Sequence, residues 1–304
     1  MSRIQLIENK ILNLSFKETP IIVISGPTGI GKSRLAISLA KKINGVIINA
    51  DSMQIYKELK IISSQPSERD KKIISHELYG IRPIYQHFSV MDWLELVKEK
   101  LDIIFNKNKI PIIVGGTGMY IKSAINGISN IPKVDKSIFE YCSKLFEKIG
   151  ILEFKKLVKE IDREFTLKNI DKQRLIRAYS VYLQTNKSIT EWYKSSDINK
   201  IYNTFFSILL EQEREKNYQN CENRFEEFIK NGAIEEVKYL RDNKFDRSLP
   251  GFKCLGVSWI LKYLEQEISL KDAILLSKRD TRRYVKKQLT WFRHNFNPDL
   301  ILRI

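Results

Sequence analysis

Cysteine and histidine are both scarce, with three of each in 304 residues, and neither is grouped. Cys142, Cys221 and Cys254 are widely spaced and form no C-x-x-C pair, so the sequence supports neither a disulfide framework nor a zinc site. His76, His87 and His294 make no metal cluster either. Long hydrophobic runs are missing as well. No apolar stretch reaches the roughly 18 residues of a membrane span. The opening MSRIQLIENKILNLSF lacks the apolar h-region and small-residue cleavage site of a signal peptide. A cytoplasmic protein with no membrane partner is therefore expected. Acidic residues are the last shortage, 36 against 52 basic ones, for a formal charge of +16. Such an excess favours a polyanionic partner such as RNA, although heavy use of Lys, Ile and Asn is also what an AT-rich coding sequence gives.

What is present is most informative at residues 26–33. Gly26, Pro27, Thr28, Gly29, Ile30, Gly31, Lys32 and Ser33 spell GPTGIGKS, a complete G-x-x-x-x-G-K-[ST] phosphate loop. It lies between a continuous apolar run, Ile21 to Ser25, and an amphipathic stretch, Arg34 to Ile43. That is the strand, loop and helix context the motif needs. The glycines let backbone N–H groups converge on phosphate oxygens, Lys32 adds a point charge, and the Ser33 hydroxyl is the expected ligand for Mg²⁺.

Further apolar runs at Val46–Ile48, Ile110–Val114 and Phe205–Leu210 read as buried strands separated by helical patterns. The expected fold is α/β, a P-loop NTPase-like parallel sheet flanked by helices. A leading helix is expected with Ile4, Ile7, Ile11 and Leu14 on one face. From residue 122 to 203 the pattern is helical alone, with Phe139, Cys142, Leu145 and Phe146, then Leu152, Phe154, Leu157 and Val158, marking apolar faces. This predicts an all-helical insertion domain at 122–203 in a catalytic core of 1–121 and 204–304, closed by two or three helices.

Ligands of such sheets sit outside the carboxyl ends of the strands, and two more motifs fall there. Asp51-Ser52-Met53-Gln54-Ile55-Tyr56 follows the second strand, and Gly115-Gly116-Thr117-Gly118-Met119-Tyr120 follows the third. An Asp at such an end also serves as a helix cap, but facing a phosphate loop it is a candidate for catalysis. A nucleoside triphosphatase ends a neighbouring strand in an acid that holds the Mg²⁺ shell. Here that strand ends in Val114-Gly115-Gly116, which leaves Asp51 as the only carboxylate at a predicted strand end near the loop. Three readings stand on these residues: group transfer to RNA, phosphorylation of a small metabolite or nucleoside, and RNA binding without catalysis.

Taken together, the motifs resemble the tRNA dimethylallyltransferase (tRNA isopentenyltransferase) family of bacterial type. The resemblance rests on GPTGIGKS, DSMQIY, VGGTGMY, IDKQRLIRA at 170–178 and RDTRRYVKKQLTWFRH at 279–294, in the family's order and spacing. It implies a phosphate loop that takes dimethylallyl diphosphate, with Mg²⁺, in place of ATP. It also implies transfer of the prenyl group to the exocyclic amine of the adenosine 3′ of the anticodon, a base flipped into a channel. The helical insertion would clasp the anticodon stem of tRNA, and a monomer is expected. By the same resemblance Asp51 is the catalytic aspartate, Thr28 and Thr117 hold diphosphate oxygens or the acceptor, and Arg224 reaches the diphosphate.

The family's tRNA contacts fall on Asp51, Ser52, Met53, Gln54 and Thr117. They continue at Gln173, Arg174, Leu175, Ile176 and Arg177, and at Lys253, Cys254, Leu255, Gly256, Val257 and Ser258. This chain departs from the pattern at three places. Gly256-Val257-Ser258 replaces Gly-Tyr-[Lys/Arg], Phe139 stands where the family often has an arginine against tRNA, and Arg177-Ala178-Tyr179-Ser180 replaces Arg-Ala-Leu-Glu. In the last helix Val285, Leu289, Phe292 and Phe296 form the predicted apolar stripe, with Arg282, Arg283, Lys286 and Lys287 beside it as candidate phosphate contacts.

Overall fold

Branched apolar residues make strands here wherever both faces can be covered. A computed structural model of the chain describes residues 18–166 and 171–304, so the expected leading helix lies outside the described residues. The sheet contains β1 (Ile21–Ser25), β2 (Gly45–Asn49), β3 (His76–Glu77), β4 (Ile110–Gly115), β7 (Phe205–Glu211) and β8 (Leu300–Arg303). Its spatial order is β3-β2-β4-β1-β7-β8. All pairings are parallel: Val23 of β1 lies between Ile113 of β4 and Ser207 of β7. Residues of β1, β2 and β4 are almost wholly enclosed, as a sheet covered on both faces demands.

The covering helices follow from amphipathic spacing. Helix α1 (Lys32–Ile43) buries Ala36, Leu39 and Ala40 and ends at Asn44, whose positive φ closes the turn into β2. After α2 (Glu68–Ile73), helix α3 (Val90–Asn106) begins at a capping box made by Ser89 and Asp92. Its fully buried Trp93 stacks on Tyr120 of α4 (Gly118–Asn126), with ring centroids 4.7 Å apart. The Trp93 indole donates to the Asn49 carbonyl at 2.7 Å, pinning the end of β2. Burying rings of this size contributes roughly 2–3 kcal/mol each.

The chain divides into two compact units, residues 1–125 with 201–304, and residues 126–200. The second unit contains β5 (Ile128–Ser129), α5 (Lys136–Ile161), α6 (Lys172–Thr185), α7 (Ile189–Ser195) and β6 (Ile198–Asn199). It is not helical alone, because β5 and β6 pair antiparallel, Ile128 opposite Asn199. Two-residue strands are too short to show alternation, so the sequence pattern hides them. Gly150, at φ 75°, breaks α5 into two arms. Phe146 and Phe154 then pack across the break at 5.2 Å, with Cys142, Val158, Leu175, Ile176, Ala178 and Ile189 completing the core.

Three residues of the expected apolar faces lie outside that core: Leu157 is half-buried, and Phe139 and Leu152 are 43% and 68% exposed. Leu152 is two residues from Phe154, about 200° round the helix, and so points away from it. Phe139 sits in the first turn of α5, short of the Phe146–Phe154 packing.

The end of the first unit also differs from expectation. Four α-helices follow β7, namely α8 (Arg214–Lys230), α9 (Ala233–Asp242), α10 (Val257–Leu264) and α11 (Leu270–Asn295), with a 3₁₀ turn at Pro250–Lys253. The chain then returns as edge strand β8, with Leu300 and Leu302 buried and Ile301 and Arg303 exposed. Four alternating residues after a 26-residue helix carry too weak a signal to be read alone.

Candidate active site: the phosphate loop and the Asp51 loop

The phosphate loop is fixed from outside itself. Thr28 uses all three of its polar groups on two distant helices. Its N–H donates to Gln288 Oε1 of α11 at 2.9 Å, and its hydroxyl accepts from the Arg224 guanidinium of α8. Its carbonyl accepts from Asn217 Nδ2 at 3.2 Å and lies 3.4 Å from Cys221 Sγ. Asn217, Cys221 and Arg224 recur at helical spacing, so one face of α8 lies along the loop. Gly29 is required where that face arrives. Its φ is +79°, and a Cβ there would stand 2.3 Å from Cys221 Sγ.

Lys32 folds back over the loop, its Nζ donating to the carbonyls of Gly26 at 2.9 Å and Pro27 at 2.8 Å. Burial pulls its ammonium down to about 8, against the opposing pull of Asp51. Burial likewise lowers Arg224, whose Nε is enclosed without a partner. Both cations line the same cavity with their charge disfavoured by burial, an arrangement suited to an anionic ligand.

Asp51 is positioned by its own neighbours. The Asn49 side chain accepts from the Asp51 N–H at 2.8 Å and donates to the carbonyls of Asp51 and Leu78 at 3.0 and 3.1 Å. The Asp51 carboxylate accepts from the Met53 N–H at 2.9 Å, closing an Asx turn. Burial and the Asp51 charge together keep the hydroxyls of Tyr79 and Tyr284 protonated. Burial also raises the thiols of Cys221 and Cys254, so neither is an activated nucleophile.

Two cavities meet at these residues. The larger, about 630 Å³, is lined by Thr28 to Arg34, Asp51, Gln54 and, from α8, Lys216, Asn220, Asn223, Arg224 and Glu227. The smaller, about 240 Å³, is lined by Asp51, Ser52, Met53, Phe225, Phe228, Lys253, Cys254, Leu255 and Tyr284. Thr28, Asp51, Ser63 and Arg224 belong to both. One side is polar and cationic and the other largely apolar and aromatic, with a carboxylate at their junction.

The structure thus brings together Thr28 to Ser33, Asp51 to Met53, Arg224 and Lys253 to Leu255. It gives other expected residues different work. Thr117 lines neither cavity, and its hydroxyl accepts from the Ser52 N–H at 3.1 Å. The Gln54 amide is engaged by the carbonyls of Ser63 and Ser64, at 2.9 and 2.7 Å. Gly256 and Val257 are packed inside, while Ser258 is exposed.

In the second unit, Leu175 and Ile176 are core residues and present no side chain to RNA, whereas Gln173 and Arg174 are exposed. The Arg177 guanidinium is 3.4 Å from the Pro132 carbonyl. In α11, Arg282 pairs with Glu222 and Arg283 with Asp280, so of the four basic residues only Lys286 and Lys287 are exposed without a described ion pair. Nor is Asp51 the only carboxylate at a strand end. Glu211 ends β7 beside β1, but lies 3.6 Å from Arg303 and outside the cavity.

Gln288, Asn217 and Cys221 escape sequence reading because helical periodicity marks them only as inward-facing polar positions. The signal was the presence of a Gln on the apolar side of the α11 stripe.

Residues 54–295 match the IPP transferase family. The chain belongs to the IPP transferase family. Relatives in it include the tRNA dimethylallyltransferase of Rickettsia bellii, 39% identical over 286 residues, spanning 93% of this chain and 90% of that one. That of Pelagibacter ubique is 39% identical over 279 residues, spanning 91% and 89%. Among solved structures, the tRNA isopentenylpyrophosphate transferase of Bacillus halodurans superposes with a TM-score of 0.65 at 27% identity, covering 94% of this chain and 90% of that one. A eukaryotic dimethylallyltransferase solved acting on tRNA gives a TM-score of 0.78 at 26% identity, covering 94% and 74%. The IPP transferase relatives share the parallel sheet flanked by helices and the added helical region.

Proposed function

We propose that this chain transfers a dimethylallyl group from dimethylallyl diphosphate to the exocyclic amine of the adenosine immediately 3′ of the anticodon, with Asp51 as the base. Family membership carries the reaction class: the chain is a prenyltransferase with tRNA dimethylallyltransferase activity. The observation that supports the residue roles is the shared boundary of the two cavities, where Asp51, Thr28 and Arg224 face both.

The larger cavity suits the diphosphate, with the loop amides, Lys32 and Arg224 as its partners. The smaller suits the adenine and prenyl group, between Phe225, Phe228, Tyr284 and Met53. As the C–O bond of the donor breaks, negative charge grows on the leaving diphosphate, and cations already desolvated there stabilise it without reorganising. The new C–N bond takes the amine lone pair, and the nitrogen's proton passes to the Asp51 carboxylate.

Mg²⁺ fits this site. The Ser33 hydroxyl puts a hard oxygen donor into the larger cavity and, with the substrate's phosphate oxygens, would hold the ion, leaving the Asp51 carboxylate to act as the base. When bound it would neutralise charge on the departing diphosphate. Ser33 is the assigned ligand. We assign the tRNA anticodon stem to the helical unit, with Phe139, Gln173 and Arg174 as its exposed contacts, and a monomer in the cytoplasm as the working form.

Replacing Asp51 with Ala tests the assignment. Transfer of labelled prenyl group to a tRNA transcript should fall about 10²–10⁴-fold, with tRNA affinity kept within about twofold by filter binding. Parental turnover in that variant would remove Asp51 from the role of base.

A further inference from the structure

Gln288 lies on α11, 260 residues from Thr28 and 172 from Gly116, and it bonds to both. Its Oε1 accepts from the Thr28 N–H at 2.9 Å, and its Nε2 donates to the Gly116 carbonyl at 2.8 Å. The side chain is only 6% exposed and lines neither cavity. Gly116 presses against it so closely that a Cβ there would stand 2.6 Å from Nε2. We infer that Gln288 is a positioning residue that sets the phosphate loop and the Asp51 loop at their working separation.

The bridge continues on both sides. Beyond Thr28 the Thr28 hydroxyl meets Arg224. Beyond Gly116 the Thr117 hydroxyl holds the Ser52 N–H, next to Asp51. One amide therefore connects the groups assigned to the leaving diphosphate with the group assigned to the base. No other common amide reproduces this. Asn is one methylene too short to span both partners, and Glu keeps the acceptor but loses the donor. Proximity is worth most when the reacting atoms are held to a fraction of an ångström, and a 1 Å error costs about 10²-fold. Gln288 touches neither substrate on this account, so its loss should act on the chemical step and spare RNA binding.

The inference rests on the transfer reading, and the experiment separates the two. In one assay, kcat, KM for tRNA, KM for dimethylallyl diphosphate and the unfolding temperature are measured for the parent, Gln288→Met and Gln288→Glu. Met conserves volume and removes both hydrogen bonds. Gln288→Met should lower kcat by at least about tenfold while KM for tRNA stays within about twofold and the unfolding temperature within about five degrees. Gln288→Glu keeps the Thr28 contact but places a carboxylate close to Lys32, so it should lower kcat and also raise KM for dimethylallyl diphosphate.

A kcat for Gln288→Met within about twofold of the parent, or a loss confined to KM for tRNA, overturns the inference. Should Gln288→Met unfold more than about ten degrees early, Gln288→Glu decides in its place: lost kcat supports the inference and parental kcat overturns it. A parent with no transfer at all would instead remove the reading beneath it.

Discussion

Arg224 donates to the hydroxyl of Thr28 although 196 residues separate them, and this contact joins α8 to the phosphate loop. The guanidinium is lowered by burial, lies over the Phe228 ring at 5.5 Å and keeps an enclosed Nε without a partner. Because the guanidinium also lines both cavities, it can bond an anion there while it holds Thr28. Arg224→Ala should lower kcat/KM for dimethylallyl diphosphate by about 10²-fold or more. Arg224→Lys should recover little of it, because an ammonium cannot bond Thr28 and a phosphate in the same fork geometry. Steady-state kinetics with saturating tRNA checks both.

Lys32 gives the donor side a pH limit. Its ammonium is held down to about 8 by burial, so in the free protein it discharges as pH rises through that value. Since kcat/KM reports free-enzyme groups, kcat/KM for the donor should fall above pH about 8, while kcat holds to higher pH because bound diphosphate restores the charge. Lys32→Met should be weak throughout and lack that limb. Stability moves the other way. A folded value below the unfolded 10.5 means the unfolded chain binds more protons between the two, so stability rises with pH across about 8 to 10.5.

Gly29 and Cys221 are a coupled pair. Gly29→Ala adds a Cβ at 2.3 Å from Cys221 Sγ and at a φ of +79°. The two penalties together should cost about 2–4 kcal/mol. Adding Cys221→Ala removes the collision but not the backbone strain, so roughly half of the loss should return. Urea unfolding of the two single variants and the double variant measures the coupling, and strict additivity would exclude it.

The parts of this structure that were legible in the sequence are those with a strong local code. Largely apolar runs at Ile21, Val46, Ile110 and Phe205 are strands in the fold, and GPTGIGKS is a phosphate loop opening a helix. Asp51 is a candidate from its place at a strand end facing the loop, Arg224 comes from the resemblance alone, and the fold adds the geometry that joins them. What was illegible depends on tertiary distance. Leu175 and Ile176 sit inside a motif associated with RNA, yet they are core because α6 must pack on α5. Gln288 looks like any helix glutamine until α11 is laid against Thr28 and Gly116. Strands β3 and β8 are too short for periodicity, and their pairing partners define them.

The central claim is that the phosphate loop serves prenyl transfer to tRNA. The most direct test incubates the pure protein with Mg²⁺, labelled dimethylallyl diphosphate and a tRNA transcript carrying adenosine after the anticodon, beside a parallel reaction with labelled ATP. The account predicts label on that adenosine from the prenyl donor and none transferred from ATP. Label moving from ATP, with no prenyl group on the RNA, would contradict it.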